Sequence, residues 1–192
     1  MKAGDKCKNK ISLGILAGGQ ALRLNGASKA FLRYEGEYLI QRIVNSLAKG
    51  FADHLVSARE TDSRFNDMGL KPVLDKREAF SGPLAGIEAL LQTVESEYLL
   101  TIPVDIKFIP VELIQSWLGR PCTTGMVLQD MNGLQPLLAL WHVDSAKIVV
   151  SDALNQAEKS VKSVVTRLSM KTIQRTDFQI GNLNTPRDFE TP

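Results

Sequence analysis

Residues 11–16, Ile-Ser-Leu-Gly-Ile-Leu, form a short apolar run that closes on the glycine pair Gly18 and Gly19. A run of this length, β-branched at Ile11 and Ile15 and ended by glycine, reads as a buried strand rather than a helix. Strand-like and helix-like segments then alternate. Residues 38–48 put Leu39, Ile40, Ile43, Val44 and Leu47 at helical spacing, and residues 55–58 and 71–74 read as short strands. Residues 86–94 are helical, with Ile87, Leu90, Leu91 and Val94 on one face; residues 98–102 are the most apolar strand and Pro103 ends it. Pro110 starts a helix that runs to Leu118. Past Gly125, two β-rich runs, 126–129 and 134–141, flank Asn132-Gly133, the strongest short hairpin signal. Helical stretches at 144–155 and 159–168 and a strand at 171–174 follow. The alternation predicts an α/β fold: a mostly parallel central sheet, helices on both faces, and an antiparallel excursion. With no repeats and no low-complexity linker, residues 11–192 are expected to form a single domain, preceded by a flexible basic tail over residues 1–10.

Composition narrows the function classes. A chain of 192 residues with 44% hydrophobic and 23% charged positions is globular and long enough for one proper core. The formal net charge of +2 is too small for non-specific nucleic-acid binding, and only Lys2, Lys6, Lys8 and Lys10 cluster. No stretch approaches the roughly 20 apolar residues of a membrane helix. The basic start followed by residues 11–16 mimics a signal peptide, but Gly14, Gly18, Gly19 and Arg23 interrupt it. Cys7 and Cys122 suggest neither a disulfide framework nor a metal site, so a reducing cytoplasm is the expected setting. His54 and His142 read as structural or solvated.

Four segments could carry chemistry. Gly18 and Gly19 can bring their backbone against a ligand, and amides exposed in such a turn favour an anion, usually phosphate. Arg23 and Lys29 add two positive charges suited to a triphosphate; equally, the glycines are a tight turn and both cations are solvated. In the second, a strand ends at Asp75 and a loop delivers Gly82-Pro83 into a helix, where free amides and the dipole favour an anion and Gly86 allows close approach. Asp75 could accept hydrogen bonds from a sugar or base, or simply start a turn. The third is Asp105, just beyond a central strand, at the crevice where open α/β sheets bind ligands. Its hard oxygens make it the Mg²⁺ candidate, the plainer reading being turn initiation. In the fourth, Asn184 or Thr185 can cap a helix beginning at Pro186 with Asp188 in its first turn, and Asn182 and Asn184 can offer paired amides to a polar ligand.

In this order the four segments resemble the molybdenum cofactor guanylyltransferase family. The stretch Leu16-Ala17-Gly18-Gly19-Gln20-Ala21-Leu22-Arg23-Leu24-Asn25-Gly26-Ala27-Ser28-Lys29 is similar to its L-A-G-G-x-x-x-R-[ML]-G-x-x-K opening. Asp75 with Gly82-Pro-Leu-Ala-Gly86, Asp105 after its strand, Gln135-Pro-Leu-Leu-Ala-Leu-Trp141 and Asn182-Leu-Asn-Thr-Pro186 extend the likeness over residues 11–190. The departures are the extra Asn25, Ser28 where an Asp often precedes the Lys, Arg59 where an Asn is frequent, and Pro103-Val104 before the Asp. The resemblance implies a three-layer Rossmann-like nucleotidyltransferase fold and transfer of GMP from GTP to Mo-molybdopterin, with Mg²⁺ as cofactor. It implies nucleotide contacts from Leu16, Ala17, Gly18, Gly19, Lys29, Asp75, Gly82 and Asp105, a metal at Asp105, catalysis by Lys29, Arg23 and Asp105, and pterin-facing Asn182 and Asn184. Molybdenum-insertion or molybdoenzyme-chaperone proteins would be partners, with no nucleic acid and no membrane. Cytidylyl or sugar-phosphate transfer, and a non-catalytic nucleotide- or pterin-binding relative, are the alternatives.

Overall fold

The computed structural model describes residues 10–18, 28–75, 77, 82–119 and 123–189. Its strands are β1 (Ile11–Leu16), β2 (Arg33–Tyr34), β3 (Glu37–Tyr38), β4 (His54–Ala58), β5 (Lys71–Leu74), β6 (Tyr98–Pro103), β7 (Met126–Asp130), β8 (Gly133–His142) and β9 (Lys171–Gln174). The helices are α1 (Leu39–Ser46), α2 (Ser63–Asp67), α3 (Pro83–Thr93), α4 (Val111–Trp117), α5 (Val143–Asn155) and α6 (Val161–Arg167). Single 3₁₀ turns cover Lys29–Phe31 and Pro186–Phe189.

Seven strands form one sheet in the order β5-β4-β1-β6-β8-β7-β9. β5, β4, β1 and β6 run parallel, β8 is antiparallel to both β6 and β7, and β9 is parallel to β7. The mostly parallel sheet with one antiparallel excursion is thus present as the alternation implied. Side chains leave the strands with a period of two, and the two sets form separate cores. Ile11, Leu13 and Ile15 of β1 and Leu100 and Ile102 of β6 pack under α1, α2 and α4. Leu16, Leu99 and Trp141 face the opposite layer of α3, α5 and α6. At the seam between the parallel and antiparallel halves, the Trp141 indole N–H donates to Thr101 Oγ1 at 2.8 Å inside the core. Among the described residues no helix is long and apolar enough to cross a membrane.

Local differences from the sequence reading have physical causes. The hairpin expected around Asn132-Gly133 turns on Met131 and Asn132, and Gly133 opens β8 with φ +104°. Asn132 has no positive φ, which excludes the two-residue turn with both centres left-handed and leaves the left-handed step to the glycine after it. The helix expected from Pro186 is a 3₁₀ turn, α3 begins at Pro83 rather than Gly86, and α2 and the β2–β3 hairpin were not anticipated. Residues 1–9, where the basic tail was expected, lie outside the described residues.

Candidate active site

The parallel strands β1, β4 and β6 end together, and their C-terminal edge opens into a cavity of about 540 Å³. The edge is stitched by backbone: Ala17 N–H donates to Ser57 O at 2.9 Å, and Val104 N–H to Leu16 O at 3.1 Å. Leu16, Ala17 and Gly18 line one side of the cavity, Pro103, Val104 and Asp105 the next, and Arg59 to Asp62 with α2 the far wall.

Lys29 reaches into this cavity from its 3₁₀ turn. Ala30 and Phe31 of that turn are buried, and the Phe31 ring packs on Tyr38 and Phe65 at centroid distances of 5.7 and 5.1 Å. A lysine on so fixed a turn keeps its stem in place. Its ammonium donates to Asp105 Oδ2 at 2.6 Å and to Asn184 Oδ1 at 2.7 Å. The side chains of Lys29 and Asp105 are only 12% and 22% exposed, which strengthens the pair relative to one in bulk water.

Asn184 arrives on a C-terminal strap that crosses the exit of β6. Lys107 and Phe108 N–H donate to Ile180 O at 3.1 and 2.8 Å, Asn182 bridges Ile106, and Leu183 N–H donates to Asp105 O at 2.8 Å. The strap then turns on Asp188, whose Oδ2 accepts from Asn184 N–H (2.9 Å), Thr185 N–H (2.7 Å) and Thr185 Oγ1 (3.0 Å). These donors, the Thr185 and Asn184 amides foremost, hold the Asp188 carboxyl below its ordinary range. The acidic residue inside the turn reaches back to the chain ahead of it, the second half of a capping box. Asn182 is exposed and does not line the cavity, so the two asparagines are not one paired donor set.

Asp75 makes the turn contact that one of its sequence readings expected, and it sits beside the cavity. Its Oδ1 accepts the Arg77 N–H at 3.0 Å, a turn contact, while the residue also lines a recess with Gly18, Ser57, Gly82 and Gly86 that adjoins the cavity. Arg77 is itself anchored: its guanidinium donates to both Glu88 oxygens at 2.7 Å each and to Asn155 Oδ1 at 3.3 Å. That guanidinium holds the Glu88 carboxyl below its usual range. Nothing in the spacing of Arg77, Glu88 and Asn155 announced the cluster. The α2 wall was also missed, although Asp62 is a helix N-cap by residue type and accepts Arg64 N–H at 3.0 Å. The Arg64 guanidinium lies 3.5 Å from the Phe31 ring centroid. Gly19 and Arg23 lie outside the described residues.

The cavity therefore combines a backbone-lined edge, a held lysine, one carboxylate and a side recess, an arrangement suited to a phosphorylated ligand. Among the described residues no group of three or more His, Cys, Asp or Glu side chains is placed to hold a metal ion.

Known proteins are similar to this chain in sequence and in fold. A probable molybdenum cofactor guanylyltransferase of Clostridium perfringens is 29% identical over 193 residues, covering 94% of this chain and 95% of the relative. A molybdenum cofactor guanylyltransferase of Yersinia pseudotuberculosis is 27% identical over 180 residues, 92% of this chain and 91% of its own length. The crystal structure of molybdopterin-guanine dinucleotide biosynthesis protein A from Archaeoglobus fulgidus superposes with a TM-score of 0.66 at 19% identity, over 93% of this chain and 94% of that one. The family model described as the MobA-like NTP transferase domain matches residues 13–172, from within β1 into β9, so all but the outer ends of those two strands of the sheet, and the Lys29–Asp105 pair, fall within it. By that match the chain belongs to the MobA-like NTP transferase family.

Proposed function

We propose that the protein is a molybdenum cofactor guanylyltransferase, which transfers GMP from GTP to Mo-molybdopterin and releases pyrophosphate. The observation that carries the reading is the Lys29 ammonium held against Asp105 at the open edge of β1 and β6, in a cavity that backbone lines on one side. The names of the full-length relatives agree with it. In the reaction a phosphate oxygen of molybdopterin attacks the α-phosphorus of GTP, the bond from the α-phosphorus to the bridging oxygen breaks, and pyrophosphate departs. Such a transfer needs positioning and charge neutralisation more than a covalent nucleophile. Leu16, Ala17, Gly18 and Gly19 cradle the nucleotide, Asp75 and Gly82 receive its base or ribose in the side recess, and Lys29 and Arg23 neutralise the phosphates. Asn184 faces the pterin from the cavity wall, and Asn182, two residues earlier on the strap, meets it outside that wall.

Asp105 fits Mg²⁺ as a partly exposed oxygen donor on the cavity wall, since magnesium is commonly held by one or two carboxylates together with substrate phosphates. When bound there the ion supplies charge neutralisation on the phosphates. Lys29, beside Asp105 in the free protein, would meet a phosphate oxygen of bound GTP. A cytoplasmic setting, a single domain over residues 11–192, and hand-off to molybdenum-insertion or molybdoenzyme-chaperone proteins belong to the same proposal.

Thermal melting with GTP, CTP, UTP and ATP, each with and without Mg²⁺, tests the reading. A nucleotide at 100 times its dissociation constant adds about 2.7 kcal/mol. The expected result is a shift with GTP that Asp105→Ala abolishes. A shift with CTP instead moves the protein to cytidylyl transfer, and no shift with any nucleotide defeats the proposal. In turnover assays Lys29→Ala and Asp105→Ala should each lose at least about a hundredfold, the scale of one preorganised electrostatic group, with unchanged far-ultraviolet circular dichroism.

A further inference from the structure

Asp130 ends β7 and is buried, 5% exposed. Three N–H donors occupy its two carboxylate oxygens. Oδ1 accepts the Asn132 N–H at 2.9 Å and the Gln135 side-chain amide at 2.9 Å. Oδ2 accepts the Ile180 N–H at 2.8 Å, across 50 residues of chain. The hairpin alone does not call for a carboxylate, because asparagine closes the same local turn. A group that accepts on both sides is required only because the second oxygen meets a buried amide of the C-terminal strap; asparagine would present N–H to one of three N–H donors. Four residues beyond Ile180, the strap delivers the Asn184 amide to the Lys29 ammonium at 2.7 Å. Between them, Leu183 N–H docks on Asp105 O at 2.8 Å.

We propose that Asp130 is a positioning residue for the transfer reaction: by fixing Ile180 it sets the register of the strap across β6 and so holds Asn184 on Lys29. The functional part rests on the reading of Lys29 as the group that meets the nucleotide phosphates. Asp130 is not among the residues lining the cavity, and its hydrogen bonds go to Asn132, Gln135 and Ile180 rather than to Lys29 or Asp105, so its effect passes through the strap.

The first readout does not depend on that reading. Lys29 acylation by a small amine-reactive ester is followed by mass spectrometry in the wild type, Asp130→Asn, Asn184→Ala and the double variant. Asp130→Asn and Asn184→Ala should each speed labelling by about fivefold or more, as expected when a charge-assisted contact is lost. The double variant should stay within about twofold of the faster single one, since coupled residues are not additive. Labelling in Asp130→Asn within about twofold of wild type, or singles whose factors multiply, overturns the proposal. The second readout is guanylyl transfer, in which Asp130→Asn should lower kcat about tenfold with KM for GTP within about twofold. Combined with Asn184→Ala it should add nothing. A wild type that transfers no guanylyl group ends the functional reading, while the labelling still decides the role of Asp130. If Asp130→Asn does not fold, Asp130→Glu keeps the charge but displaces the carboxylate from the Ile180 N–H. It should speed Lys29 labelling in the same direction, and a folded Asp130→Glu with wild-type labelling overturns the proposal.

Discussion

A methyl group on Gly86 would lie 2.5 Å from Ser57 Oγ and 3.5 Å from Leu16 Cδ2. This glycine lets the first turn of α3 lie against the ends of β1 and β4, where the side recess forms. Gly86→Ala should therefore cost about 1–3 kcal/mol, the usual price of overpacking a tight contact. Ser57→Ala in the same chain should restore most of that loss, as read by urea unfolding; full loss in the double variant would place the strain elsewhere. The need for close approach at Gly86 was legible from its residue type in a strand-to-helix segment. So were Asp105, as a carboxylate just past an apolar strand, and Lys29, as a cation following the glycine pair. Their direct pairing was not, because no local pattern relates residues 76 positions apart. Arg77, Glu88 and Asn155 were illegible for the same reason.

At the scale of elements, the Arg77–Glu88 pair ties Arg77 to α3, and the Arg77 N–H in turn holds the Asp75 carboxylate at the side of the recess. Arg77→Met keeps much of the stem but leaves a buried carboxylate without its partner, a loss of about 1–3 kcal/mol. The folded Glu88 carboxyl titrates below its unfolded value, so the pair's contribution is fully present above the unfolded value, about 4.3, and fades as pH falls through the lower folded one. The wild-type advantage over Arg77→Met should therefore be complete near neutrality and shrink below about pH 4.3. Urea unfolding across that range measures it, and an advantage that grew in acid would contradict the assignment. Long elements were readable because α1, α3 and α5 repeat their apolar positions over two turns or more. The five residues of α2 and the two-residue strands β2 and β3 are too short to show a period. The hairpin was located by Asn132-Gly133, but its register depended on which residue took the left-handed step.

Across the whole molecule, protection against hydrogen exchange should follow the strand order. β1 and β6 are central and covered on both faces, whereas β5 and β9 are edges, with Pro72 in one and exposed Lys171, Thr172 and Gln174 in the other. Amides of β1 and β6 should exchange last; β5 or β9 outlasting them would mean that the parallel half is not the stable centre. The site built on that centre is unusually non-local, since Lys29 meets Asn184 across 155 residues. During synthesis at roughly 5–20 residues per second, residue 184 is added about 8–30 s after residue 29. In that interval a growing chain can lay down β1, β4, β5 and β6 and bring Lys29 to Asp105, but it has no strap to lay over them. The ribosome thus writes the nucleotide side of the cavity well before the side assigned to the acceptor.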